Sequence, residues 1–116
     1  MSEFTIYHNP RCSKSRNTLA LLQQHGVEPE IILYLETAPS EPEIAGLLEK
    51  LGIPATQLVR RGEAEYKASG LSAQSSEREI LNAMAQHPKL IERPVVVHRD
   101  RAVLGRPPEN VLELLD

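Results

Sequence analysis

The sequence predicts an α/β fold, a mixed four-stranded sheet flanked by helices, and three features of the chain indicate it. The chain begins with a strand–helix–strand unit, continues through an all-helical middle, and ends with two strands and a helix. A βαβ unit joins two parallel strands by a right-handed crossover. A short link between the two later strands makes them an antiparallel hairpin. Together these features predict one parallel and one antiparallel pairing in the same sheet.

The βαβ unit is predicted over residues 3–35. Residues 3–7 are rich in strand formers, and leucines recur at helical spacing over 13–25 until Gly26, which suits a helix C-cap. The apolar run at residues 31–35 is typical of a strand that is buried on both faces of a parallel sheet.

Two capping boxes mark the helical middle. Ser40 with Glu43, and Ser76 with Glu79, each place a capping hydroxyl three residues before a glutamate at the start of an apolar pattern. The first box opens a helix that ends at Gly52. Short helices are expected at residues 54–58 and 64–68, and the second box opens a helix that reaches residue 86.

The last unit is predicted from residue 94 to residue 115. A strand begins at Pro94, where no backbone N–H is needed. A turn at residues 99–101 leads to a partner strand at 102–104 and a final helix at 109–115. This order of elements is that of the thioredoxin-like fold. In that fold the proline is usually cis and faces the cysteine loop, so we expect the bond before Pro94 to be cis.

Length, charge and cysteine usage bound the function. The chain has 116 residues, which predicts a single domain over residues 1–116, and its net charge of −3 argues against nucleic-acid binding. We find no apolar run long enough for a bilayer and no secretory signal. One cysteine cannot form an internal disulfide, and four histidines without paired spacing predict no metal site. These features fit a cytoplasmic protein.

The single cysteine, Cys12, lies between the first strand and the first helix. Free N–H groups and the positive end of the helix dipole are found at such a position. Arg11, Lys14 and Arg16 add positive charge nearby. Such settings lower the pKa of a cysteine from about 8.5 by one to several units. We therefore predict an ionised, reactive Cys12; the alternative is an inert cysteine that acts as a small apolar residue.

Four motifs surround the cysteine and two later arginine–proline pairs: His8-Asn9-Pro10-Arg11-Cys12, Ser15-Arg16-Asn17-Thr18, Glu92-Arg93-Pro94 and Gly105-Arg106-Pro107. In this combination the chain resembles the glutaredoxin-coupled arsenate reductases of the ArsC family, and the resemblance covers essentially the whole chain. It implies that Cys12 is the nucleophile and that Arg60, Arg93 and Arg106 hold the oxyanion. Arg61 rivals Arg60. Some family members carry a C-terminal extension, so this chain resembles a short member.

Five further residues are expected to support the site. Asn9 can bond neighbouring backbone and shape the loop. His8 either polarises the thiol and moves a proton, or is a strand-end residue whose ring is satisfied by its neighbours. Ser15 stands where a redox dithiol has its second cysteine. Arg16 contributes charge, and Pro94 faces the loop.

The resemblance also implies partners and a mechanism. The Cys12 thiolate attacks arsenic(V), glutathione then attacks the arsenic, and glutaredoxin removes the glutathione as a mixed disulfide. Arsenic(III) is left on Cys12, and hydrolysis releases arsenite. No cofactor is bound, glutathione is a co-substrate, and phosphate and sulfate are expected to compete weakly. No nucleic-acid or membrane partner is expected.

Three alternatives remain open on the sequence. A phosphatase-type enzyme wraps its anion in a Cys-X5-Arg loop, but the sixth residue after Cys12 is Thr18. A regulator of the RNA polymerase-binding Spx branch usually carries a Cys-X-X-Cys switch, whereas this chain has Ser15 at the second position. A general glutathione-linked thiol transferase would not need the three arginines.

Overall fold

The computed structural model describes residues 3–115, and its elements follow the predicted order. The strands are β1 (Phe4–Tyr7), β2 (Glu30–Ile32), β3 (Val95–His98) and β4 (Arg101–Leu104). The α-helices are α1 (Ser13–Gln24), α2 (Glu41–Leu51), α3 (Ala55–Leu58), α4 (Ala64–Ala68) and α5 (Glu77–Gln86). 3₁₀ helices are formed by Pro88–Leu90 and Pro108–Leu115. The predicted final helix is thus a 3₁₀ helix, and Asn110 N–H bonds to Pro107 O at 3.0 Å in its first turn.

The four strands form one mixed sheet in the order β2-β1-β3-β4. β1 pairs in parallel with β2, with Thr5 opposite Glu30, and antiparallel with β3, where Thr5 is opposite Val97. β3 and β4 are antiparallel and are joined by a tight turn, since His98 pairs directly with Arg101. The mixed four-stranded sheet and the thioredoxin-like order of elements are confirmed.

Contacts within the chain divide it into two compact units. One unit comprises residues up to Tyr34 and from Arg93 onward, and the other is Leu35–Glu92. In the first unit, α1 and the C-terminal 3₁₀ helix contribute to a core with the sheet. The fully buried members of this core are Ile6, Leu22, Val96, Val111 and Leu114. The expectation of one domain over residues 1–116 stays a prediction.

The second unit is helical, and its helix starts are as predicted. Ser76 Oγ accepts from the Glu79 N–H at 3.2 Å, and the Glu79 carboxylate accepts from the Ser76 N–H at 2.7 Å, which is a complete capping box. Ser40 Oγ accepts from the Glu43 N–H at 3.3 Å at the start of α2. α2 and α3 both pack against α5.

The apolar run at residues 31–35 is not the doubly buried strand that was predicted. Only residues 30–32 form β2, and Ile31 and Leu35 are 46% and 42% exposed. The prediction was wrong because β2 is the edge strand, with a neighbour only on the β1 side. Tyr34, which follows the strand, is buried.

Residues 3–115 contain neither a helix suited to span a membrane nor a cluster suited to bind a metal ion. No helix there has both the length and the apolar character needed to cross a bilayer. No group of three or more His, Cys, Asp or Glu side chains within the same range is arranged to hold a metal ion.

Candidate active site

Cys12 is the N-cap residue of α1, at the end of the loop that follows β1. Its backbone is extended, with φ −96° and ψ 122°. The Cys12 N–H donates to Asn9 O at 3.0 Å, and the Arg11 N–H donates to Asn9 Oδ1 at 3.0 Å. Asn9 therefore shapes the loop through both its backbone and its side chain, as the sequence predicts.

The ionisation of Cys12 is decided by opposing effects. Partial burial raises the pKa of the Cys12 thiol. The backbone N–H groups of Ser15 and Lys14 and the guanidinium of Arg93 act against burial, and the pKa is lowered overall. These donors stabilise the thiolate because each places positive charge at the sulfur. The Cys12 thiol therefore ionises more readily than a free cysteine.

The predicted source of this positive charge needs correction. The sequence suggested the side chains of Arg11, Lys14 and Arg16, but all three residues are exposed, and none of these side chains is among the causes of the shift. Exposed charges are screened by solvent. Arg16 instead donates to Pro10 O at 2.8 Å and so supports the loop. The cation that acts on Cys12 is Arg93.

His8 and Ser15 are buried together beneath the loop. His8 Nδ1 lies 2.6 Å from Ser15 Oγ, and the Asn9 N–H donates to the same oxygen at 3.0 Å. Burial, together with the charge of Arg16, lowers the pKa of His8, so the neutral ring is the favoured form at pH 7. The Ser15 hydroxyl proton can then bond Nδ1, which places the ring proton on Nε2. This geometry matches the expectation of a ring satisfied by its neighbours.

Arg93 and Arg106 meet on the loops that flank β3 and β4. Arg93 hydrogen-bonds the Cys12 side chain, and Arg106 Nη1 donates to Arg93 O at 3.3 Å. The Arg93–Pro94 bond is cis, as predicted. The Arg106–Pro107 bond is also cis, and this was not predicted. The buried Nε of Arg93 has no hydrogen-bond partner within the described residues. The predicted meeting of the Cys12 loop with Arg93–Pro94 is confirmed.

Thr18 and Gly105 join these loops to α1, and sequence reasoning missed their part. Thr18 is fully buried, and its hydroxyl lies 2.7 Å from Lys14 O and 3.3 Å from Gly105 O. The Gly105 N–H donates to Pro94 O at 2.9 Å. The available signal was a glycine directly before Arg106, in a loop that was already expected to hold an anion.

Arg60 lies in the second unit, where two carboxylates contact it. Its Nη1 is 3.0 Å from Glu92 Oε1, and its Nε is 3.3 Å from Glu63 Oε2. Arg61, the rival candidate, is exposed. The assignment of Arg60 to the oxyanion stays a prediction.

Comparisons with known proteins agree on one family. The ArsC family model matches residues 7–114. An arsenate reductase from Haemophilus influenzae is 47% identical over 95% of this chain and 97% of its own. An arsenate reductase from Escherichia coli is 44% identical over 99% of this chain and 82% of its own. The structure of an arsenate reductase from Vibrio cholerae superposes with a TM-score of 0.91, at 51% identity and 95% coverage of each chain. This chain belongs to the ArsC family.

Proposed function

We propose that this protein is an arsenate reductase whose nucleophile is Cys12. One observation carries the proposal: a thiol with a lowered pKa at a helix start is hydrogen-bonded by the guanidinium of Arg93, and Arg106 donates to the backbone carbonyl oxygen of Arg93. A thiolate beside arginines suits attack on an oxyanion, since the cations bind the substrate and balance the charge of the reacting groups. The names of the relatives support arsenate as that oxyanion.

Arg93 and Arg106 are proposed to bind the arsenate oxygens. Arginine presents a planar fork of donors that matches a tetrahedral oxyanion in pairs, which a lysine cannot do as well. The buried Nε of Arg93 shows that its contacts within the described residues leave donor capacity unused. Arg60 is included on the family resemblance alone.

The electrons are proposed to come from outside the chain. Cys12 is the only cysteine, and Ser15 occupies the position of a second redox thiol, so the protein cannot form a disulfide within itself. The arsenic(V) bound to Cys12 must gain two electrons, which two external thiols supply as they become a disulfide. Glutathione and glutaredoxin are the proposed pair, with no bound cofactor, and a reducing cytoplasm would maintain both.

A coupled assay tests the proposal. NADPH oxidation is followed with arsenate, glutathione, glutathione reductase and glutaredoxin present. We expect turnover that depends on both thiol partners and that Cys12→Ser abolishes. Activity on a mixed disulfide with none on arsenate would favour the thiol transferase instead. Turnover without glutaredoxin would remove that partner from the proposal.

The two candidate arginines of the second unit form a matched pair for a separate test. We expect Arg60→Ala to raise the KM for arsenate and Arg61→Ala to leave it unchanged. The reverse result would assign the oxyanion contact to Arg61. If both variants had the KM of the wild type, neither Arg60 nor Arg61 would bind the substrate.

A further inference from the structure

Gly105 leaves no room for a side chain where the Arg106 loop meets α1. A Cβ on Gly105 would lie 2.5 Å from Thr18 Oγ1, 2.8 Å from Pro94 Cγ and 2.9 Å from Thr18 Cγ2. Carbon atoms in ordinary contact are about 3.5–4.0 Å apart. Any side chain at this position would therefore push Thr18 or Pro94 away, and glycine is what permits the close approach.

Thr18 reaches this loop mainly through its shape. It is fully buried, and its single hydroxyl proton is shared between Lys14 O at 2.7 Å and Gly105 O at 3.3 Å. The shorter bond, to Lys14, lies within α1, so the contact with Gly105 depends chiefly on packing. On the other side, the Gly105 N–H donates to Pro94 O at 2.9 Å, which joins the loop to the start of β3.

We propose that Thr18 and Gly105 are positioning residues, whose contact holds the Arg93 and Arg106 loops against the helix that presents Cys12. Gly105 directly precedes Arg106, and its partner Pro94 directly follows Arg93. A shift of this contact therefore reaches the backbone of each arginine through one peptide bond and moves the anchor of its side chain. The proposal rests on the proposed function for its substrate, but the geometry of Cys12 and Arg93 can be measured without arsenate.

Gly105→Ala is the first test. We expect kcat/KM for arsenate to fall about 10- to 100-fold, chiefly through KM, because displacement of binding groups by about 1 Å costs that much. We also expect the inflection in the pH dependence of Cys12 alkylation to move upward, since Arg93 would be displaced from the sulfur.

Second-site changes make the test specific to this contact. Thr18→Ala combined with Gly105→Ala should recover part of the loss, because both crowding Thr18 atoms are removed and only Pro94 Cγ remains close. Thr18→Val with Gly105→Ala should recover nothing, since valine keeps the branched shape. Gly46→Ala should behave as wild type, because Gly46 lies on α2 and a new Cβ there would meet nothing within 4 Å beyond its chain neighbours and the backbone of its own helix.

The outcomes separate this proposal from the proposed function. If the wild type fails to reduce arsenate while Gly105→Ala still moves the alkylation inflection and Thr18→Ala restores it, the positioning role stands without the substrate. If Gly105→Ala lowers only the melting temperature, or the double variant is no better than the single one, the proposal is wrong. If Gly105→Ala does not fold, Thr18→Ala alone should raise the KM for arsenate and the pH at which Cys12 alkylation inflects. Unchanged values of both would overturn the proposal.

Discussion

Cys12 shows how a few donors at one atom outweigh burial. Burial by itself raises the pKa of the thiol, yet the two N–H groups at the start of α1 and one guanidinium lower it overall. The helix start was readable from the sequence because the strand, the loop and the helix follow one another directly. The resemblance placed Arg93 with the oxyanion, but its effect on the pKa of Cys12 was not predicted, because Arg93 is distant in sequence and is brought to the sulfur by the pairing of β3 with β1.

Arg93→Ala should raise the pKa of Cys12. The variant loses both the hydrogen bond and the charge of Arg93, so thiolate would form only at higher pH. Alkylation rate against pH should inflect below about 8.5, the value for a free cysteine, in the wild type, and at higher pH in the variant. Arg11→Ala is the control, since the Arg11 side chain is not a cause of the shift. If Arg11→Ala raised the pKa of Cys12 as much as Arg93→Ala, the cations next to Cys12 in sequence would also stabilise the thiolate.

The sign of the linkage gives this prediction a second measurement. A native pKa below the unfolded one means that the folded state releases the Cys12 proton at a lower pH than the unfolded state, so stability rises with pH between the two values. The stabilisation from Cys12 is therefore fully present above the unfolded pKa of about 8.5 and is lost as pH falls through the native pKa. In the wild type, the melting temperature should fall as the pH is lowered from the unfolded pKa to the native pKa of Cys12. Cys12→Ser should remove this part of the pH dependence.

Ser15→Ala should destabilise the protein, because Ser15 Oγ serves two buried partners. The change would leave His8 Nδ1 and the Asn9 N–H without their hydrogen bonds. Each buried polar group left unpaired costs about 1–3 kcal/mol. Because two groups lose their partner, denaturant unfolding should report a loss of about 2–6 kcal/mol. Ser13→Ala, at an exposed position of the same helix turn, should stay within about 0.5 kcal/mol. A small loss at Ser15 would mean that other groups satisfy the ring.

At the scale of elements, prediction succeeded where the signal was local. A capping box involves residues three positions apart, and both bonds of the Ser76–Glu79 box are present. The apolar run at residues 31–35 failed as a buried strand because an edge position depends on which strands pair, and no residue within the run records that. Ile31 therefore matches the pattern of a central strand while lying half exposed.

Ser76→Ala should weaken α5 by a measurable amount. Loss of a serine N-cap costs about 0.5–2 kcal/mol, since the N–H of the third helical residue is left without its acceptor. Urea unfolding should show a lower midpoint with an unchanged slope. Ser76→Asp should retain most of the stability, because aspartate also accepts from that N–H. If alanine and aspartate destabilise equally, the cap is not the cause.

At the scale of the whole molecule, the candidate site of the first unit combines segments that are far apart in the chain. The loop before α1, the Arg93–Pro94 pair and the Gly105–Arg106 pair converge because β1, β3 and β4 are neighbours in the sheet. The motifs predicted which segments matter and that two of them meet. The close packing of Gly105 on Thr18 could not be predicted, because it depends on distances that only the folded chain defines.

Such a site should bind inert oxyanions and discriminate only in the chemical step. Phosphate and arsenate share shape and charge and differ by roughly a tenth in bond length, and size differences of this order are worth only about 1–3 kcal/mol in binding. We expect phosphate and sulfate to be weak competitive inhibitors, while turnover is confined to arsenate because thiols readily reduce arsenic(V) and not phosphorus(V).

Arginine variants in a Cys12→Ser background test where selectivity resides. Without the nucleophile, arsenate, phosphate and sulfate can all be compared by equilibrium binding. Arg93→Ala and Arg106→Ala should each weaken all three anions by about 1.5–3 kcal/mol, the value of hydrogen bonds to charged groups, which is on the order of ten- to a hundredfold in Kd. Selective loss of arsenate alone would place discrimination in binding. Unchanged affinities would mean that these arginines do not hold the oxyanion, and the substrate would then have to be sought elsewhere.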